Sequence, residues 1–236
     1  LLPFLYTQII RGRVVNALSR QIRGKTMFIP KQIIIEPTYE CNLECPMCYV
    51  ESKPGLIKLE LLEKIVKEGR SIGINRYVFM GGEPTMNHVI TMVKPVIEQY
   101  KNCFFTFCTN GTLIDDTIIE NFKGKRNVSF VFSIDGPEKI TDQLRGKGTF
   151  QKAMDNLDRL IAHNINIAVS ITTLPEKWQE QLSSEFIQHV YDKGIFVIYT
   201  HFMVTKESHL PYSPTSLPYM LSGRLALANI WIKDDD

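Results

Sequence analysis

The stretch Gln32-Ile33-Ile34-Ile35-Glu36-Pro37-Thr38-Tyr39-Glu40-Cys41-Asn42-Leu43-Glu44-Cys45-Pro46-Met47-Cys48 joins two unlike pieces. The first is a short apolar, β-branched run that reads as a buried strand and stops at a proline. The second crowds three cysteines into one loop with the spacing C-x3-C-x2-C. Three thiolates from one loop can hold three irons of a four-iron–four-sulfur (4Fe-4S) cluster, leaving the fourth iron without a protein ligand. An open coordination position is where a metal centre does chemistry rather than merely holding a fold together.

Further along the chain, strand-like runs recur at Arg76–Met80, Cys103–Cys108, Val128–Ile134, Ile165–Thr172 and Ile195–Phe202. Helical spacing separates them. Phe150, Ala153, Met154, Leu157, Leu160 and Ile161 follow an i, i+3, i+4, i+7 pattern, and Trp178, Leu182, Phe186 and Val190 repeat every fourth residue. Leu62, Ile65 and Val66 mark another helix, as do Val89, Val93, Val96 and Ile97. Gly73, Gly124, Asn164 and Gly194 each stand just before the next strand, where a left-handed residue closes a helix. A helix-cap-strand rhythm of this kind predicts βα units and a parallel sheet with right-handed crossovers. Six such units fit an incomplete barrel or a doubly wound sheet.

Size and composition agree with one α/β domain. The chain has 236 residues, 44% apolar and 22% charged. A net charge of +2 gives no global electrostatic case for nucleic acid. Five cysteines, three of them clustered, suit metal ligation in a reducing cytoplasm better than a disulfide framework.

The expected organisation has three parts. Residues 1–29 carry basic Arg11, Arg13, Arg20, Arg23 and Lys25 and no acid. Leu5, Ile9, Ile10, Val14, Leu18 and Ile22 recur at roughly helical spacing, which predicts a basic amphipathic helix. It reads as a helix closing one end of the domain, with peripheral attachment to the anionic inner face of a membrane as the alternative. Residues 30–205 form the βα domain. Residues 206–236 read as an irregular, proline-containing connection and a helix-like segment from Tyr219 to Trp231. Starting without Met and ending at Asp234-Asp235-Asp236, the chain reads as a fragment.

Parallel barrels place their chemistry in the loops after the strands, and every polar or glycine-rich oddity falls there. The cysteine loop follows the first strand, Gly81-Gly82-Glu83-Pro84 the second and Thr109-Asn110-Gly111 the third. Ser133-Ile134-Asp135-Gly136-Pro137 overlaps the end of the fourth, Thr172-Thr173 ends the fifth, and His201 lies near the end of the sixth. Two glycines expose backbone groups to a closely approaching ligand, and Glu83 beside them would pair with an ammonium. Asn110 and Asp135 make good turns on any reading; Ser133 and Arg145 suit a carboxylate or a ribose. Cys103 and Cys108 read as small buried strand residues. A structural zinc site would need a fourth ligand recruited from Cys103, Cys108, His88 or His201.

These motifs, in this order, resemble the radical S-adenosylmethionine (SAM) superfamily, in the branch of molybdenum-cofactor, peptide-modifying and sulfatase-maturating enzymes. The resemblance spans about Pro30 to His201 and includes Leu144-Arg145-Gly146 and Gly148-Thr149-Phe150. It implies an α/β fold of the partial (β/α)6 TIM type with parallel strands. It implies a 4Fe-4S cluster on Cys41, Cys45 and Cys48, with SAM chelated at the open iron. Gly81, Gly82 and Glu83 would engage the methionyl ammonium, while Ser133 and Arg145 would reach the SAM carboxylate or ribose with Asn110 nearby. One-electron cleavage of SAM would then give a 5′-deoxyadenosyl radical that abstracts hydrogen from a small-molecule, lipid-like or peptide substrate. The electron would come from a flavodoxin or ferredoxin.

The chain departs from that family at two points. Met47 stands where an aromatic residue usually precedes the third cysteine, and no cysteine follows Cys108 to hold an auxiliary cluster. The competing class is a zinc- or cluster-binding scaffold without turnover.

Overall fold

A computed structural model describes residues 30–48, 50–174, 176–204 and 226–232, with backbone alone for 201–204 and 226–232. The expected helix within residues 1–29 lies outside the described residues.

Six strands lie where the apolar runs predict them: β1 (Ile33–Thr38), β2 (Arg76–Gly81), β3 (Phe104–Thr109), β4 (Val128–Ser133), β5 (Asn166–Thr173) and β6 (Ile198–Val204). Helices α1 (Leu59–Ser71), α2 (Asn87–Gln99), α3 (Asp116–Phe122), α4 (Glu138–Arg145), α5 (Thr149–Ala162), α6 (Trp178–Gln181) and α7 (Ser184–Asp192) fill the connections. Two expectations are corrected. The every-fourth-residue pattern from Trp178 to Val190 is two helices, with Ser183 starting the second. Within the helix-like Tyr219–Trp231 segment, Ala226–Ile232 forms a seventh strand, β7, paired with β6. Its β-branched and aromatic end, Ile230-Trp231-Ile232, fits a strand, and pairing there supplies the hydrogen bonds β6 would otherwise lack on that side. Helices α3 and α4, seven and eight residues long, are too short to show a helical period in sequence.

The four expected helix stops all take positive φ: Gly73 at 91°, Gly124 at 74°, Asn164 at 56° and Gly194 at 80°. Asn164 is the one non-glycine residue in that region among those described. Its polar side chain makes it the best substitute for glycine there.

All six strand pairings are parallel and the sheet order is β1-β2-β3-β4-β5-β6-β7. This order decides between the two candidate architectures. A doubly wound sheet reverses direction at a switch point; right-handed crossovers between strictly sequential strands put every helix on one face. That is the winding of a barrel, here left open because β1 and β7 do not pair with one another.

Burial follows the winding. One face of the sheet carries Tyr77, Phe79, Phe105, Phe107, Phe130 and Phe132, all fully buried under the helices. The rings from Tyr77 to Phe130 touch in turn, with Phe107 at 5.0 Å from Phe79 and 5.2 Å from Phe130 between centroids. The other face alternates with it and is mixed: Ile34, Val78 and Met80 on β1 and β2 are apolar, Thr106, Ser129, Ser133, Ser170 and Thr172 are half-buried and polar, and Val131 and Ala168 are buried. Among the described residues no helix is long and apolar enough to cross a membrane.

Candidate functional site

Parallel pairing puts the carboxyl ends of all strands at one rim, so the loops after β1 to β5 meet there. The cysteine loop runs directly from β1. Thr38 anchors it by donating from Oγ1 to the Gly55 carbonyl at 2.6 Å, and Ile57 N donates to the Pro37 carbonyl at 2.8 Å. The loop then lies on the glycine turn after β2. Gly82 N donates to the Thr38 carbonyl at 2.9 Å and Glu83 N to the Glu40 carbonyl at 2.7 Å. A Cβ on Gly82 would stand 2.0 Å from the Glu40 oxygen, so only glycine admits this approach. The two glycines therefore seat the cysteine loop, a role the sequence reading did not give them.

Glu83 is 1% exposed. Its Oε1 accepts from Thr85 N at 2.9 Å, from Thr85 Oγ1 and from Thr109 Oγ1 at 2.7 Å, and its Oε2 accepts from Asn110 N at 2.8 Å. Burial pushes this carboxyl above its ordinary range, against the pull of those four donors. The expected ammonium partner thus has both oxygens occupied by the protein.

Asn110, 6% exposed, continues the chain toward the cysteines. Its Oδ1 accepts from Thr112 N at 2.9 Å and Thr112 Oγ1 at 2.7 Å. Its Nδ2 faces Asn42 Oδ1 at 2.9 Å and Cys41 Sγ at 3.9 Å. Asn42, unremarked in sequence, donates in turn to Thr112 Oγ1 at 2.8 Å.

A second knot lies across the rim. Asp135 is fully buried and holds Arg145 through both oxygens, at 2.6 Å to Nε and 3.2 Å to a terminal nitrogen. Its Oδ1 also accepts from Thr172 N at 2.8 Å, and buried Gln181 donates to the Asp135 and Thr172 carbonyls at 2.8 Å each. Sequence reading named Asp135 as a turn former only, and Gln181 carried no signal at all. Ser133, partly exposed, ends β4 in register with Ser170. His201 stands on β6 in register with Thr172.

The knot touches the cysteines through Arg145. Its carbonyl lies 3.9 Å from Cys45 Sγ. Burial works against the guanidinium, but Asp135, helped by Cys45 and Cys48, raises it above its ordinary value. Burial likewise pushes the Cys45 thiol up, with Arg145 opposing, and burial raises Cys41.

The donor set fits a cluster. Cys41 and Cys45 are half-buried and Cys48 exposed, all three as free thiols. Leu43 N points at Cys41 Sγ at 3.5 Å and Val50 N at Cys48 Sγ at 3.4 Å, as thiolate ligands require. Among the described residues no three His, Cys, Asp or Glu side chains converge as on a single ion. Of the other cysteines, Cys103 is buried at the turn before β3, and Cys108 is half-buried on the open face of the sheet rather than in the core.

A model of the radical SAM superfamily matches residues 35–204. Among curated proteins the chain is 32% identical over 166 residues to a cysteine-type anaerobic sulfatase-maturating enzyme of Clostridium novyi, covering 61% of this chain and 44% of that protein. It is 27% identical over 176 residues to the sporulation killing factor maturation protein SkfB of Bacillus subtilis, covering 72% and 42%. The chain spans less than half the length of these relatives. Among solved structures, Streptococcus suis SuiB bound to S-adenosylmethionine superposes with a TM-score of 0.71 at 17% identity, covering 93% of this chain and 54% of that one. At that identity the likeness is one of fold.

Proposed function

We propose, from the premise that the chain belongs to the radical SAM superfamily, that it is a radical SAM enzyme acting on a polypeptide. The observation that carries the reading is the cysteine loop: three free thiols at the rim of an open parallel barrel, two of them facing backbone N–H groups. Cys41, Cys45 and Cys48 would hold the 4Fe-4S cluster. When bound, the cluster and SAM supply one-electron cleavage of a sulfonium and, from it, a hydrogen-abstracting 5′-deoxyadenosyl radical.

The chain's own residues bind and shield. Gly81 and Gly82 present backbone carbonyls with no side chain in the way, and they take over the ammonium contact that Glu83 is too engaged to make. Ser133 offers a hydroxyl at the same rim for the SAM carboxylate or ribose. Arg145, held by Asp135, would fix the backbone beside Cys45 and, through the guanidinium edge that Asp135 leaves free, reach the SAM carboxylate or ribose. The substrate would occupy the open face. Its lining mixes apolar Val78, Met80 and Val131 with hydroxyls of Ser133, Ser170 and Thr172, a combination that accommodates a peptide's side chains and backbone together. The relatives' names, a sulfatase-maturating enzyme and a killing-factor maturation protein, point the same way. A flavodoxin or ferredoxin would supply the electron.

The test is anaerobic reconstitution of the full chain. Four irons and four sulfides per chain, an EPR signal that changes on adding SAM, and 5′-deoxyadenosine released under dithionite are expected. Stoichiometric zinc without sulfide would sink the proposal. Release accelerated by a cysteine- or serine-containing peptide, and not by a lipid in detergent, would support the substrate class.

A further inference from the structure

The network running from Glu83 to Cys41 ends on a sulfur atom, and the direction of each bond around the Asn110 and Asn42 amides can be assigned. Thr112 N is a backbone N–H and can only donate, so the atom of Asn110 facing it at 2.9 Å must be the amide oxygen. The Asn110 NH2 group therefore faces the other way, with one hydrogen toward Asn42 Oδ1 at 2.9 Å and one toward Cys41 Sγ at 3.9 Å. Asn42, accepting through its oxygen, must present its own NH2 to Thr112 Oγ1, at 2.8 Å. That leaves the Thr112 hydroxyl hydrogen for Asn110 Oδ1, at 2.7 Å. No flip of either amide satisfies the same set.

The backbone end of Asn110 is held as firmly. Its N–H donates to Glu83 Oε2, and Glu83 Oε1 takes three more donors from Thr85 and Thr109. A carboxylate can accept all four; a neutral amide cannot, because its NH2 would face donors. Glu83 thus serves as a buried anchor for Asn110 rather than as a surface for a ligand.

We infer that Asn110 is a positioning and tuning residue for the metal site: its side-chain N–H is aimed at the Cys41 sulfur by the Glu83 anchor. This rests on the cluster assignment of the proposed function. Hydrogen bonds to ligating sulfurs stabilise the electron-rich reduced state and raise the potential of a cluster. The three cysteines are unequal in this respect. Cys41 meets two N–H donors, from Leu43 and Asn110, and Cys48 meets one from Val50, while Cys45 faces a carbonyl.

The test is an EPR-monitored redox titration of the reconstituted full chain without SAM, alongside iron and sulfide content and far-UV circular dichroism. Asn110→Leu is expected to lower the ratio of reduced to oxidised cluster, at the wild-type midpoint, by about tenfold, a fall of about 59 mV for one electron. Asn110→Asp keeps the size and the Thr112 acceptor but replaces the donor with an anionic oxygen, and should lower it at least as far. It probes the same N–H should the leucine variant fail to fold. Glu83→Gln should shift the potential the same way, and the Glu83→Gln, Asn110→Leu double variant should shift no further than Asn110→Leu alone.

Wild-type potentials in both Asn110 variants at full cluster content would overturn the inference, as would additive shifts in the double variant. A wild-type chain that assembles no iron–sulfur cluster would instead refute the proposed function.

Discussion

Replacing Gly82 with alanine puts a methyl group where the cysteine loop already runs. The new Cβ would lie 2.0 Å from the Glu40 oxygen, 2.5 Å from the Glu40 carbonyl carbon and 2.6 Å from that of Tyr39. Ordinary contact begins at about 3.4 Å, so the loop must withdraw by about 1.4 Å. The obstructing atoms are backbone, and no side-chain rotation relieves them. The 2.9 Å and 2.7 Å bonds from Gly82 N to Thr38 and from Glu83 N to Glu40 would then stretch beyond hydrogen-bonding range. Each lost bond costs about 1 kcal/mol and the overpacking about 1–3 kcal/mol more. The sum, about 3–5 kcal/mol, corresponds to a fall in Tm on the order of 10 °C for a domain of this size. Thermal unfolding followed by circular dichroism measures that fall, and iron content after reconstitution should drop with it, because the displaced residues lead straight into Cys41. A Gly82→Ala protein with wild-type Tm and full iron content would refute the reasoning that the glycine turn seats the cysteine loop.

Asp135 is fully buried and Arg145 largely so, so Asp135→Ala leaves an uncompensated guanidinium and should cost about 2–4 kcal/mol in urea unfolding; a change under about 0.5 kcal/mol would show the pair to be dispensable. Gly69 inside α1 faces the Tyr77 hydroxyl, where a Cβ would stand 2.6 Å away, and that hydroxyl donates to the Val66 carbonyl. Gly69→Ala should therefore destabilise by about 1–2 kcal/mol despite its better helix propensity, and Tyr77→Phe in the same chain should recover part of the loss. Burial pushes the Cys103 and Cys108 thiols up to about 11 and about 12, so both stay protonated as pH rises to 9. In the metal-free protein iodoacetamide should label exposed Cys48 well before either, as read by peptide mass spectrometry. Equal labelling rates at pH 8 would contradict their placement.

How much was legible in sequence differs element by element. The runs at Arg76–Met80 and Val128–Ile134 were readable as strands because β-branched and aromatic residues crowd there. The stops at Gly73, Gly124, Asn164 and Gly194 were readable because few residues tolerate a left-handed backbone. The break at Ser183 was not, since the apolar period runs on across it; nor was β7, whose pairing depends on an edge that exists only once β6 is in place. Within the site, the three cysteines and the glycine turn announced themselves by residue type. Asn42, Thr112 and Gln181 did not, because each is common in turns and surfaces and its role includes partners 70, 68 or 46 residues away along the chain.

By itself the sequence determined the order of βα units and which residue types gather in the loops after the strands, for these follow from local period and backbone freedom. The tertiary structure decided what those residues face. It chose the open barrel over the doubly wound sheet through strand order. It turned Glu83 inward onto Thr85, Thr109 and Asn110, and aimed the Asn110 amide at Cys41. Those outcomes depend on which donors and acceptors meet once the strands align, and burial leaves each buried polar group no partner but the ones packing supplies.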